Sequence, residues 1–272
     1  MALTFSSASG ANVNCGSAAV LDDLQSGANG FTVCALVKRN ANGYDKNIAS
    51  KFSSVTAGWA LFCEGVPPGY TTFGGLRFAV YRGSGIGDQT TYETDNRITS
   101  GDWMFAAASF KDGDATKMDL YYGSMSAIAI EETSYTLSAN GTGTLNTDAT
   151  ASYIIGDGAD NFEGDIARVG VYNTKLTLAQ IQALQFAPTA FWNNANCVAL
   201  HDLYGTGTQP DLSGELNNGT VTSATVASHV PRGAPYAVIG GWQGAFTAAA
   251  AGVSFPRLER FRPRGITRGL SA

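Results

Sequence analysis

The stretch Ile154–Leu184, IIGDGADNFEGDIARVGVYNTKLTLAQIQAL, decides how the rest of the chain is read. After the turn-forming Gly156-Asp157-Gly158, apolar residues fall at Ile166, Val169 and Val171, the two-residue period of a half-buried strand. The phase slips by one between Ile166 and Val169, and either a bulge near Arg168 or burial on both faces absorbs such a slip. Asn173 and Thr174 end the strand. Leu176, Leu178, Ile181 and Leu184 then follow at helical spacing from a Thr177 cap, so the pattern predicts a strand that ends in a short docked helix.

Working outward, 272 residues with 44% hydrophobic content and 33 Gly can bury a full core as one large β-domain plus an appendage. Charged residues make up only 14%, and the abundance of Gly, Ser, Thr, Ala and Asn suits a turn-rich β-sandwich rather than a helical bundle or a disordered chain. The net charge of −5 conceals an asymmetry. Residues 232–272 hold six Arg and one acid, Glu259, for +5, which leaves −10 on residues 1–231. Residues 1–15 show neither a basic nor an apolar leader region, so production in a host cytoplasm without a signal peptide is expected. No run of about 18 apolar residues exists, which excludes a spanning helix. Cys15, Cys34, Cys63 and Cys197 are irregularly spaced, and the expectation is four buried free thiols rather than a zinc site or a disulfide framework.

Residues Phe31–Lys38 are apolar at nearly every position, as in a central strand covered on both faces. Ile48–Lys51, Gly58–Cys63 and Leu76–Tyr81 read as successive strands. Gly101–Phe110 and Lys117–Gly123 flank Asp112-Gly113, a strong hairpin signal. The thin run Ala106–Ala108 calls for a large side chain facing it. Gly83, Gly85 and Gly87 lie in one short loop without a helix behind them, which makes a hairpin tip and not a phosphate cradle.

Phe162, Gly164, Ile166, Val169, Val171, Tyr172, Asn173, Leu176, Thr177 and Ile181 together resemble the closing segment of the laminin-G-like, concanavalin A-like lectin/glucanase jelly-roll family. Phe31–Lys38, Ile48–Lys51, Gly58–Leu61 and the 101–123 hairpin resemble its earlier strands, so the resemblance spans about residues 3–187. It implies an all-β, two-sheet antiparallel jelly-roll sandwich over 1–187. Residues 188–231 include Asp211-Leu212-Ser213-Gly214, similar to a signature that opens the domain in many members. Here the signature follows the last strand, an order associated with bacteriophage-encoded members, and it reads either as a packing extension or as a small subdomain. Residues 232–272 read as an extended Arg-rich arm.

Chemistry is sparse. The glucanase relatives need carboxylates on one face of a strand in a Glu-x-Asp-x-x-Glu pattern. Here Glu163 and Asp165 are followed by Arg168, which cannot deliver a proton near neutral pH. With two His and no nucleophile elbow, triad chemistry is weaker still. Calcium is the one cofactor the resemblance admits, through Asp157, Asp160 and Asn161, whose oxygens equally suit turn hydrogen bonds. Trp59, Tyr70 and Tyr92 are candidates for stacking on a sugar, as is Trp103, against a core role. Asn140-Gly141-Thr142 and Asn218-Gly219-Thr220 match glycosylation acceptors and read as turns. In the arm, Arg257, Arg260, Phe261, Arg262, Arg264 and Arg268 alternate charge with apolar anchors, which suits an acidic protein partner better than nucleic acid.

These readings converge on a non-enzymatic virion protein of the capsid or tail surface, a homo-oligomer within its assembly. Its arm would grip other assembly proteins, and its loops would face glycans or a host surface, with no membrane role. A free carbohydrate-binding lectin is the alternative, and a glucanase-type hydrolase comes third.

Overall fold

The computed structural model describes residues 1–40, 46–54, 56–64, 74–83, 89–95, 97–156, 162–228 and 230. The first of the chain's two compact units, Met1–Gly233, carries every element below. In chain order these are β1 (Ala2–Phe5), β2 (Asn12–Asn14), β3 (Phe31–Arg39), β4 (Lys46–Ser54), β5 (Ala57–Glu64) and β6 (Gly75–Tyr81). Next come β7 (Gln89–Thr94), β8 (Trp103–Phe110), β9 (Met118–Ser124), β10 (Ile130–Glu131), β11 (Leu137–Ala139) and β12 (Tyr153–Ile155). The chain continues with β13 (Gly164–Tyr172), α1 (Leu178–Gln185), α2 (Thr189–Trp192), β14 (Cys197–Asp202), β15 (Thr220–Thr222) and β16 (Thr225–Ala227).

The strands form two antiparallel sheets of eight, counted among the described residues. The first runs β10-β9-β8-β3-β13-β1-β16, with β14 also paired to β13, and the second runs β11-β7-β6-β5-β4-β12-β2-β15. This is the jelly-roll sandwich expected from the sequence. Among the described residues, no helix is long and apolar enough to cross a membrane.

Strand β3 explains the layering. Phe31, Val33, Ala35 and Val37 point into the core between the sheets. The alternate residues Cys34 and Leu36 point outward into a second apolar layer that holds Ile181, Leu184 and Trp192 of the helices. All nine residues of β13 are buried, and its register with β3 shifts between Ile166 and Arg168, where the hydrophobic phase slips. The Ala106–Ala108 run is divided between the layers: Ala106 and Ala108 join the inner cluster, and Ala107 joins the outer one with Trp192 and Phe105. All four cysteines are free and buried.

Helix α1 docks as its spacing predicts. Thr177 caps it with a complete capping box to Gln180, and Ile181 and Leu184 are buried against the first sheet. Strands β14, β15 and β16 extend the sandwich well past residue 187, pairing with β13, β2 and β1 respectively. The Asp211 carboxylate ties their connection together. It accepts the N–H groups of Leu200 and Ser213 at 2.9 Å on one oxygen, and the Asn217 N–H at 3.0 Å on the other.

Candidate functional site

The β8–β9 pair sets Ser109 opposite Asp119 and Ala107 opposite Tyr121. Leu120 of β9 points into the inner core and Tyr121 belongs to the outer layer, so by alternation Asp119 and Tyr121 share the outer face. Glu131 of β10 is registered against Tyr121. One wall above this floor is the hairpin tip, closed by bonds from Lys111 N to Lys117 O at 2.8 Å and from Asp114 N to Lys111 O at 3.2 Å. The facing wall is the loop into α1, where Leu176 N donates to Thr32 Oγ1 at 2.9 Å and Lys175 N to Asn29 O at 2.9 Å. Together these elements enclose an open groove of about 420 Å³.

Lys175 organises its charge. Its Nζ lies 2.9 Å from Asp119 Oδ2 and donates to Asp114 Oδ2 at 3.1 Å and Thr116 O at 2.9 Å. Burial is the largest single influence on Lys175 and pulls its pKa down, but the hydrogen bonds and charges of Asp119 and Asp114 together outweigh it, and the net shift is upward, so the group stays an ammonium. The bond from Lys175 holds the Asp114 carboxyl below its ordinary range. Glu131 moves the other way, raised by burial and then by the neighbouring Asp119 charge.

Glycoside cleavage needs two carboxylates free to exchange protons or attack. In this groove Glu131 alone is raised, while Asp114 and Asp119 are held by Lys175. On β13, Glu163 pairs with Lys46 at 3.7 Å, and Asp165 accepts the Thr4 hydroxyl at 2.6 Å with Lys38 at 3.8 Å. Arg168, in the place of the relatives' second glutamate, is a clamp. It binds Asp202 Oδ1 at 2.9 Å and Ala187 O at 3.1 Å, and its guanidinium lies 5.0 Å from the Trp192 ring centre. Among the described residues the groove therefore offers hydrogen-bonding groups for a neutral polar ligand and no free acid–base pair.

Two aromatic candidates from the sequence are corrected. Trp59 is 0% exposed, packed 5.7 Å from Phe31 and 6.0 Å from Tyr153 between the sheets, where no ligand reaches it. Tyr92 is 6% exposed, edge-on to Tyr135 at 4.7 Å, and its hydroxyl donates to Asn140 Oδ1 at 3.3 Å. Trp103 is buried in the outer layer. Tyr70, Asp157, Asp160, Asn161, Arg257, Arg260, Phe261, Arg262, Arg264 and Arg268 lie outside the described residues. Among the described residues no group of three or more His, Cys, Asp or Glu is arranged to hold a metal. Asn140 Oδ1 accepts the Tyr92 hydroxyl at 3.3 Å, and Asn218 Oδ1 accepts the Asp211 N–H at 2.9 Å. Sequence reasoning missed Asp119, Glu131 and Lys175. The available signal was isolated charge beside strand ends in a chain with little charge to spend.

The fold and groove define a class: a two-sheet antiparallel jelly-roll with a polar surface cleft. The family model described as the concanavalin A-like lectin/glucanases superfamily matches residues 12–182, and the chain belongs to that superfamily. No curated protein matches it. Among solved structures it is similar to a Bacteroides ovatus protein assigned a carbohydrate-binding role, with a TM-score of 0.58 at 15% identity. That match covers 84% of this chain and 59% of the other, so this chain spans well under two thirds of that protein's length. It is also similar to a heptameric SAP-like pentraxin from Limulus polyphemus, with a TM-score of 0.43 at 12% identity, covering 67% of this chain and 80% of that one. At 15% identity the likeness to the Bacteroides ovatus protein speaks to fold alone.

Proposed function

We propose that this chain is a non-catalytic saccharide-binding module whose ligand lies in the groove between the 111–117 hairpin and the loop into α1. The observation that carries the reading is Lys175, whose hydrogen bonds to Asp114 and Asp119 leave the groove ordered, polar and without a reacting pair. Ordered carboxylates, amides and hydroxyls are the groups that hold a polyol. The test is a glycan array on the full chain, followed by Asn29→Ala and Glu131→Ala. Both side chains are exposed, so folding should be unaffected. Binding should weaken about tenfold, on the order of 1.4 kcal/mol, at an unchanged melting temperature. Unchanged affinity in both variants would place the ligand elsewhere.

The display role belongs to the same proposal. Six Arg interleaved with Phe255, Leu258, Phe261, Ile266 and Leu270 in residues 232–272 support an arm that fastens the sandwich to an acidic surface of a virion. Deleting residues 232–272 should abolish incorporation into particles while glycan binding persists. Particles that retain the shortened chain would remove this role.

A further inference from the structure

The other end of β3 holds a charge the fold does not answer. Phe31, Val33, Ala35 and Val37 face the inner core, and by alternation so does Arg39, the last residue of the strand. It is 3% exposed, and its Nε and Nη1 are buried without a hydrogen-bond partner. Among the described residues, three ion pairs lie around this end: Lys38 with Asp165 at 3.8 Å, Lys46 with Glu163 at 3.7 Å, and Arg97 with Glu132 at 2.5 Å. Arg39 makes no ion pair among the described residues.

The backbone around Arg39 is closely fitted, and Gly74 alone meets its side chain. Gly74 has φ +93°, and a Cβ there would fall 3.0 Å from Arg39 Nη2 and 2.5 Å from Ile98 O. Gly164 has φ +147°, and a Cβ there would sit 3.0 Å from Arg39 Cα and 2.1 Å from Lys38 O. The Arg39 carbonyl is fixed by Gly101 N at 2.7 Å and Ser100 Oγ at 3.3 Å. The guanidinium thus occupies a fitted position between the sheets, and it cannot shed its proton. A buried, permanent, uncompensated charge is strongly unfavourable.

We propose that Arg39 anchors an anion site at this end of the sandwich and takes a carboxylate. One positive charge matches one negative charge. A phosphate dianion would need a second cation, and Lys38, Lys46 and Arg97 are each held by an acid of this chain. The guanidinium fork is the side chain best matched to a carboxylate. The carboxylate can come from a free organic acid or from an acidic sugar of the uronic type. The inference stands on Arg39 and is independent of the groove.

The experiment follows the melting temperature of the full chain at constant ionic strength in a zwitterionic buffer. Sodium acetate, sodium glucuronate and sodium chloride are titrated against wild type, Arg39→Met and Arg39→Lys. Acetate and glucuronate should raise the wild-type midpoint with saturation, as a ligand specific to the folded state does. They should leave Arg39→Met unmoved, and without carboxylate that variant should be at least as stable as wild type. Saturation by glucuronate at a concentration about tenfold below that of acetate assigns the acidic sugar, and equal concentrations assign the carboxylate alone. Chloride acting as strongly as acetate would overturn the carboxylate assignment. A wild-type midpoint indifferent to carboxylate, or an Arg39→Met chain that folds but melts below wild type in every buffer, would show the charge to be paired within the chain and overturn the site. The wild-type titration decides by itself if neither variant folds.

Discussion

At the scale of single residues, His201 sets the acid limit of the fold. It is 0% exposed, both ring nitrogens lack partners, and its ring lies 5.9 Å from that of Tyr153. Burial lowers its pKa to about 4, against a small upward pull from Asp211. The unfolded chain takes up this proton near pH 6.5 and the folded chain refuses it until about pH 4, so stability falls as the pH drops through that window. The full loss is about 3.5 kcal/mol at roughly 1.4 kcal/mol per unit. Asp211 acts in the same direction at lower pH. Burial pushes its pKa up, but the N–H groups of Leu200, Ser213 and Asn217 hold the net value below the ordinary range. His201→Phe should flatten the urea midpoint between pH 6.5 and 4, a comparison made by denaturation at several pH values. Parallel curves for variant and wild type would assign the limb to other groups. His201 was visible in the sequence as one of two histidines, but its burial was not, because Val169 opposite it on β13 is a non-local neighbour.

At the scale of elements, local signals were legible and ladder partners were not. Thr177, Gln180, Ile181 and Leu184 announce α1 within eight residues, and the phase slip at Ile166 announces the irregularity in β13. That Arg168 would be spent on Asp202 and the helix linker depends on a strand thirty residues away, which no local period encodes. Two predictions belong here. Thr177→Ala removes the side-chain acceptor for Gln180 N and should cost about 1 kcal/mol in chemical denaturation. Arg168→Glu, which restores the relatives' carboxylate pattern, should lower stability by on the order of 3 kcal/mol, since it breaks the pair with Asp202 and adds a like charge. It should give no polysaccharide cleavage, because the side chain at this position packs against the Trp192 ring. Detectable hydrolysis by that variant would revive the enzymatic reading.

At the scale of the whole molecule, the resemblance stops at about residue 187 and the sandwich does not. Two readings of residues 188–231 stay open in the sequence because Asp211-Leu212-Ser213-Gly214 specifies its own turn and not the strands beside it. The structure joins this stretch to both sheets: Val198 and Leu203 enter the inner core, while Cys197 and Leu200 enter the outer layer. Cutting the chain after Ala187 would strip the partner from β13 between Arg168 and Tyr172, remove one neighbour each from β1 and β2, and take away Trp192, whose indole N–H donates to Leu184 O at 2.8 Å. It would also leave His201's place beside Tyr153 empty of protein. Newly exposed strand edges next to an opened core favour association between chains over a stable monomer. The 1–187 fragment is therefore expected to lose the cooperative thermal transition of the full chain and to elute as aggregate in size-exclusion chromatography. A monomeric fragment melting cooperatively within a few degrees of the full chain would mean that β14, β15 and β16 decorate a domain already complete without them.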